Sequence, residues 1–203
     1  MIRLLAITLA ILGVLIASYF VRKGPSLTTP ARALTWTRGP LDAGELEQQY
    51  SRLGVDFIRA HDAAEPILSF AVLRRGHQLA VVDDINWFHA VEQHDGRLWA
   101  LGESTTEGPG PSLDLLLSED DGRTFELRAS VPKPNYQALF ERWTVKGDEL
   151  TLVLSVDDAT PMSDDWLWPW WQLDFASARR PTIGPGRFIL RSKNGGRTWR
   201  LER

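Results

Sequence analysis

The chain has 203 residues, of which 43% are hydrophobic, and a formal charge of −3 at neutral pH, so it can bury the core of one domain. It has no cysteine, which excludes disulfides, thiol catalysis and thiolate metal sites but leaves the compartment open. Setting aside residues 1–23, which hold three basic residues and no acidic one, takes the formal charge to −6 without a basic cluster in the sequence, a poor match to nucleic acid or an anionic lipid surface.

The first 23 residues read as a membrane segment. Leu4 to Val21 are 18 residues without a charge, preceded by Arg3 and followed by Arg22 and Lys23. As a helix such a run spans about 27 Å, close to a bilayer core. A cleaved signal peptide is the rival reading, but Tyr19, Phe20 and Val21 are bulky where a cleavage site wants small residues. An uncleaved single-pass anchor in an inner or plasma membrane is expected, with the domain outside the cytoplasm. Residues 24–40, rich in Pro, Thr, Ser and Gly, read as a tether. Between Asp42 and Leu53 the spacing of Leu46, Tyr50 and Leu53, with Gly54 as a C-terminal cap, predicts one short helix.

From Gly54 onward the pattern is β. Strands are expected at Val55–Arg59, Ile67–Leu73 and Leu79–Val82, followed by two units of shared plan. In the first unit, hairpins turn at Asp95-Gly96 and at Ser118–Phe125; in the second, at Gly147-Asp148 and at Ser192–Trp199. The two longer turns are an internal repeat. Ser118, Asp120, Gly122, Thr124 and Phe125 correspond to Ser192, Asn194, Gly196, Thr198 and Trp199, with Arg123 and Arg197 also shared. Short polar side chains at the first, third and seventh places can bond nearby backbone amides, and Gly permits positive φ.

This octapeptide resembles the Asp box, or BNR repeat, of sialidases and other β-propeller proteins, across roughly residues 85–203. The resemblance implies a folding device joining the third and fourth strands of a blade, remote from any catalytic centre. The first copy matches fully, and the second has Asn194 where the family prefers Asp. The sialidase catalytic set implied by the family has no match: Phe57-Ile58-Arg59-Ala60 lacks the order and the Pro of the arginine motif, and Tyr19, Tyr50 and Tyr136 offer no obvious nucleophile. A noncatalytic member is therefore expected. Two full blades and a partial third fall short of the four to eight that close a ring.

From Gly96 to Gly122 is 26 positions, whereas Gly147 to Gly196 is 49, so the second unit carries 23 extra residues, placed at about 157–186. Within them, Asp164, Asp165, Trp166, Trp168, Trp170 and Trp171 bring four of the nine Trp into six positions beside an acidic pair. Such a cluster suits partner contact or sugar stacking; filling the gap left by absent blades, or dipping into the membrane interface, is the alternative. The acidic pairs Asp83-Asp84, Asp120-Asp121 and Asp157-Asp158 read as solvated turns, and His61, His77, His89 and His94 lack metal-ligand spacing, so neither metal nor cofactor is expected.

The expected architecture is mainly β: an incomplete propeller-like stack of four-stranded antiparallel sheets over 41–203, with one short helix, behind an N-terminal transmembrane helix. The expected function is a membrane-tethered, extracytoplasmic, noncatalytic protein-binding module, of the envelope assembly factor or toxin-immunity type. The alternative is a carbohydrate-binding protein or a degenerate sialidase-like glycosidase. Partners are another protein, a glycan as the second possibility, and the membrane through residues 4–21, with nucleic acid excluded.

Overall fold

The computed structural model describes residues 27–28, 31–104, 112–135, 137–161 and 182–202. The expected anchor and the cluster Asp164–Trp171 lie outside the described residues. Among the described residues every regular element is a strand, and three antiparallel five-stranded sheets, none closed into a barrel, account for all but one strand pair.

Each sheet is a four-stranded meander with one short strand added. The first contains β4 (Glu45–Arg52), β5 (Val55–His61), β6 (Ser69–Arg75) and β7 (Gln78–Val82). The second contains β8 (Trp87–His94), β9 (Arg97–Ser104), β10 (Ser112–Ser118) and β11 (Glu126–Pro132). The third contains β12 (Leu139–Lys146), β13 (Glu149–Val156), β16 (Gly186–Ser192) and β17 (Thr198–Glu202). Between β13 and β16 a small ladder pairs β14 (Thr160–Pro161) with β15 (Thr182–Ile183).

The helix expected between Asp42 and Leu53 is instead strand β4. It pairs with β5 from Glu45↔His61 to Arg52↔Val55, with a bulge between Gln48 and Tyr50. Leu53 and Gly54, at φ 50° and 71°, form a two-residue hairpin turn whose positive dihedrals match the twist of the flanking strands. Gly54 thus serves a hairpin rather than a helix cap, and ladder pairing with β5 overrides the helical spacing of three apolar residues. The partial third unit is consequently a complete meander.

Residues 27–28 and 31–38, within the expected tether, form a strap. It lays β1 (Leu27–Thr28) on β17, β2 (Arg32–Ala33) on β11 and β3 (Thr37–Arg38) on β7. Each sheet's last strand is thereby covered, whereas β4, β8 and β12 each pair on one side only among the described residues. Leu34 N–H donates to Phe125 O at 2.9 Å, and Leu34 and Trp36 pack into the core.

The second sheet is the filling of the stack. One face meets the first sheet through Phe57, Leu73, Phe88, Leu98, Leu116 and Phe125, where Phe57 takes Phe88 and Phe125 edge-on at 5.1 and 5.9 Å. Its other face meets the third sheet through Trp99, Leu115, Trp143, Leu152, Leu190 and Trp199. Burial on both sides explains why β9 and β10 read as nearly continuous apolar runs instead of alternating.

Candidate functional site

The two octapeptide turns are built alike. In the first, Ser118 Oγ donates to Asp120 Oδ1 at 2.9 Å and accepts from Gly122 N at 2.8 Å; Thr124 donates to Asp120 through N–H at 2.8 Å and through its hydroxyl at 2.7 Å. In the second, Ser192 bridges Asn194 and Gly196 at 3.0 and 2.9 Å, and Thr198 N donates to Asn194 Oδ1 at 2.9 Å. Only one bond runs the other way: the Asn194 amide donates to Thr198 Oγ1 at 2.9 Å. A hydroxyl donates and accepts equally well, which is how Asn replaces Asp without losing a bond. Phe125 and Trp199 are buried, and each turn tucks a glycine against the preceding sheet, Gly122 on Val55 and Gly196 on Leu115. The polar groups of both turns are spent on the turns themselves.

A different constellation occupies the opposite end of the second sheet, about 20 Å away along the strands. A bulge between Phe88 and Ala90 inserts His89 into β8 and turns its ring against Phe140 of β12, with centroids 4.9 Å apart. Glu103, near the end of β9, points the same way and is 6% exposed. Its Oε1 accepts from Lys133 Nζ at 2.6 Å, and its Oε2 contacts His89 Nε2. Trp87 Nε1 lies 3.2 Å from the same imidazole nitrogen, and the Arg59 guanidinium sits over the Trp87 ring, 5.6 Å from its centroid. Arg59 Nε is buried without a hydrogen-bond acceptor among the described residues. From β4, Tyr50 donates to His89 O and Gln49 Oε1 accepts from Phe88 N at 2.7 Å, fixing the bulge.

Burial raises the Glu103 pKa, but hydrogen bonds from His89 and Lys133 outweigh it and hold the carboxylate below the usual range. The reverse holds for Asp114 on β10. Burial pushes its carboxyl up to about 6 against the hydrogen bonds of Ser130 and Ser112 and the charge of Arg32. A carboxylate with a lowered pKa beside one with a raised pKa resembles an acid/base pair. Register separates them: Glu103 faces Leu113 and Asp114 faces Gly102, so the two side chains leave opposite faces of the sheet and cannot converge on one bond.

No family model, curated protein or solved structure matches the chain.

The described residues that flank the Trp-rich stretch in sequence lie at this same end. Val156↔Gly186 closes the β13–β16 ladder near Leu139 and Phe140, and β14 and β15, on either side of residues 162–181 in sequence, pair with each other beyond it. Of the acidic pairs, Asp84 sits at φ 65° in a turn, Asp120 is held in the first octapeptide, and Asp157-Asp158 are exposed just past β13. Among the described residues no three His, Asp or Glu side chains gather as metal ligands, and no helix is long and apolar enough to cross a membrane.

Sequence reasoning passed over Glu103 and Lys133, although a lone Glu ending the apolar run Leu98–Gly102 was a usable signal. It also passed over a cleft of about 450 Å³ on the outer face of the first sheet, floored by Leu41, Leu46, Ile58 and Leu79 and rimmed by Arg38 and His77. β4 contributes Leu46 to that cleft.

Proposed function

We propose that the chain is a membrane-tethered, extracytoplasmic, noncatalytic protein-binding module, an envelope assembly factor or an immunity protein against a toxin. The observation that carries this reading is the β14–β15 ladder, which flanks the Trp-rich, acidic stretch in sequence, at the end of an open stack whose β4, β8 and β12 edges are unpaired among the described residues. Consecutive four-stranded meanders joined in sequence, with self-satisfied octapeptide turns in two of them, support an incomplete propeller-like scaffold of the Asp-box type. The cluster Glu103–His89–Lys133 ties β8, β9 and the segment after β11 together at that end.

The test compares the tagged full chain with a variant in which Trp166, Trp168, Trp170 and Trp171 are Ala, both purified from gently solubilised membranes of the native host. One protein lost selectively from a variant with an unchanged melting temperature supports the module and locates its surface. Retention of every co-purifying protein, together with binding of a soluble glycan by the parent chain alone, transfers the site to carbohydrate recognition.

A further inference from the structure

The net negative charge of the domain hides a basic face. Leu150, Leu152 and Leu154 of β13 point into the core, so the alternate residues of the third sheet point out of the stack. That outer face carries Arg142, Lys146, Arg187, Arg191 and Arg200, all exposed, against Glu141, Glu149 and Glu202. Two of the acids are engaged, Glu141 with Arg187 at 3.0 Å and Glu202 with Arg191 at 2.8 Å. Arg142, Lys146 and Arg200 have no ion pair among the described residues. Arg191 and Arg200 stand directly opposite each other across β16 and β17, and the one carboxylate paired there, Glu202, is held by Arg191, which leaves Arg200 beside a like charge without an ion pair of its own among the described residues.

The same sheet receives the chain first after the expected anchor. Five residues, Arg22 to Ser26, separate the apolar run ending at Val21 from β1, which pairs with β17 at Leu27↔Trp199. Those residues reach at most about 20 Å fully extended. We infer that the outer face of the third sheet docks on the anionic lipid surface of the membrane holding the anchor, with Arg142 and Arg200 as its phosphate-contacting groups. The inference rests on the anchor reading for its geometry and on the face itself for its chemistry. Docked this way, the domain presents the first sheet and its cleft to the far side.

Because the chain has no native cysteine, single probe sites can be introduced without background. The full chain is reconstituted into phosphatidylcholine vesicles with or without phosphatidylglycerol, carrying a fluorophore at Thr144→Cys on the outer face of the third sheet or at Gln78→Cys on the first. Quenching by headgroup-labelled lipid should be several-fold greater at Thr144→Cys, only with the anionic lipid. It should fall toward the Gln78→Cys level between about 0.1 M and about 1 M salt, as the screening length drops from about 10 Å to about 3 Å. An Arg142→Gln, Arg200→Gln variant should lose the difference while melting at the same temperature or higher, since one like-charge contact is removed.

Equal quenching at both sites, in protein that stays with vesicles through a high-salt alkaline wash, overturns the docking and leaves the anchor standing. Protein that binds anionic vesicles at low salt but is washed off supports the docking and removes the anchor. Crosslinks from Thr144→Cys to an acidic protein and none to lipid overturn the lipid assignment.

Discussion

Lys133 Nζ lies 2.6 Å from Glu103 Oε1, and neither side chain is more than a tenth exposed. Removing one partner leaves an uncompensated charge in the interior, so Lys133→Met should cost about 3–5 kcal/mol. The double variant Glu103→Gln, Lys133→Met should recover much of that loss, and urea unfolding of the three proteins measures both. The Glu103 pKa is lowered on folding, so its contribution is present above the unfolded value near 4.5 and is lost as pH falls through the folded one. Acid should therefore weaken the parent in that window more than the double variant.

Asp114 has the opposite sign. Its folded pKa, raised from 3.8 to about 6, favours the folded state while the carboxyl is protonated and disfavours it as pH rises through 6. The shift corresponds to roughly 3 kcal/mol at pH 8. Asp114→Asn should raise the melting temperature at pH 8 and change it little at pH 4, and melts across that range check both ends.

The octapeptide glycines are constrained twice. Gly122 has φ +78°, and a Cβ there would sit 2.6 Å from Val55 Cγ2; Gly196 has φ +83°, and its Cβ would collide with Leu115 Cδ2. Alanine at either should cost about 1 kcal/mol for the dihedral and a further 1–3 kcal/mol for overpacking, with Gly196 the worse. Unchanged denaturation midpoints in both variants would remove the packing role assigned to the turns.

Asp120→Asn should be nearly neutral near neutral pH, because the Asn194 turn already has that composition. Burial raises the Asp120 pKa, but the bonds from Thr124, Ser118 and the Arg123 amide together lower it more, so the wild-type turn loses strength in acid. The variant should show a flatter stability profile below pH 4, read by melting.

Trp36 joins the strap to the core, 6.4 Å from Phe125 between ring centroids. Trp36→Ala should destabilise by about 2–3 kcal/mol and open residues 31–38 to proteolysis, since a free tether would tolerate the change.

The sequence made the β character, the two hairpin units and the octapeptides legible because each is a local signal: alternation, Gly at a turn, polar groups bonding their own backbone. What stayed hidden depends on distant partners. β4 has helical apolar spacing, yet Leu46 is 49% exposed and Tyr50 reaches across to β8, so its state is decided by β5 and by the second sheet. The strap was unreadable for the same reason, since two-residue strands have no period. Glu103 and Lys133 are 30 positions apart, and nothing local announces their pairing. The basic face was masked by averaging, because acidic residues elsewhere outweigh it in the total.

The strap also dictates an order of events during synthesis. β3 can join the first sheet once residues near 79 exist and β2 can join the second after residue 127, but β1 has no partner until Trp199 is made. β1 is therefore the last strand of the strap to find its place, and a chain truncated before β17 would leave it without a partner.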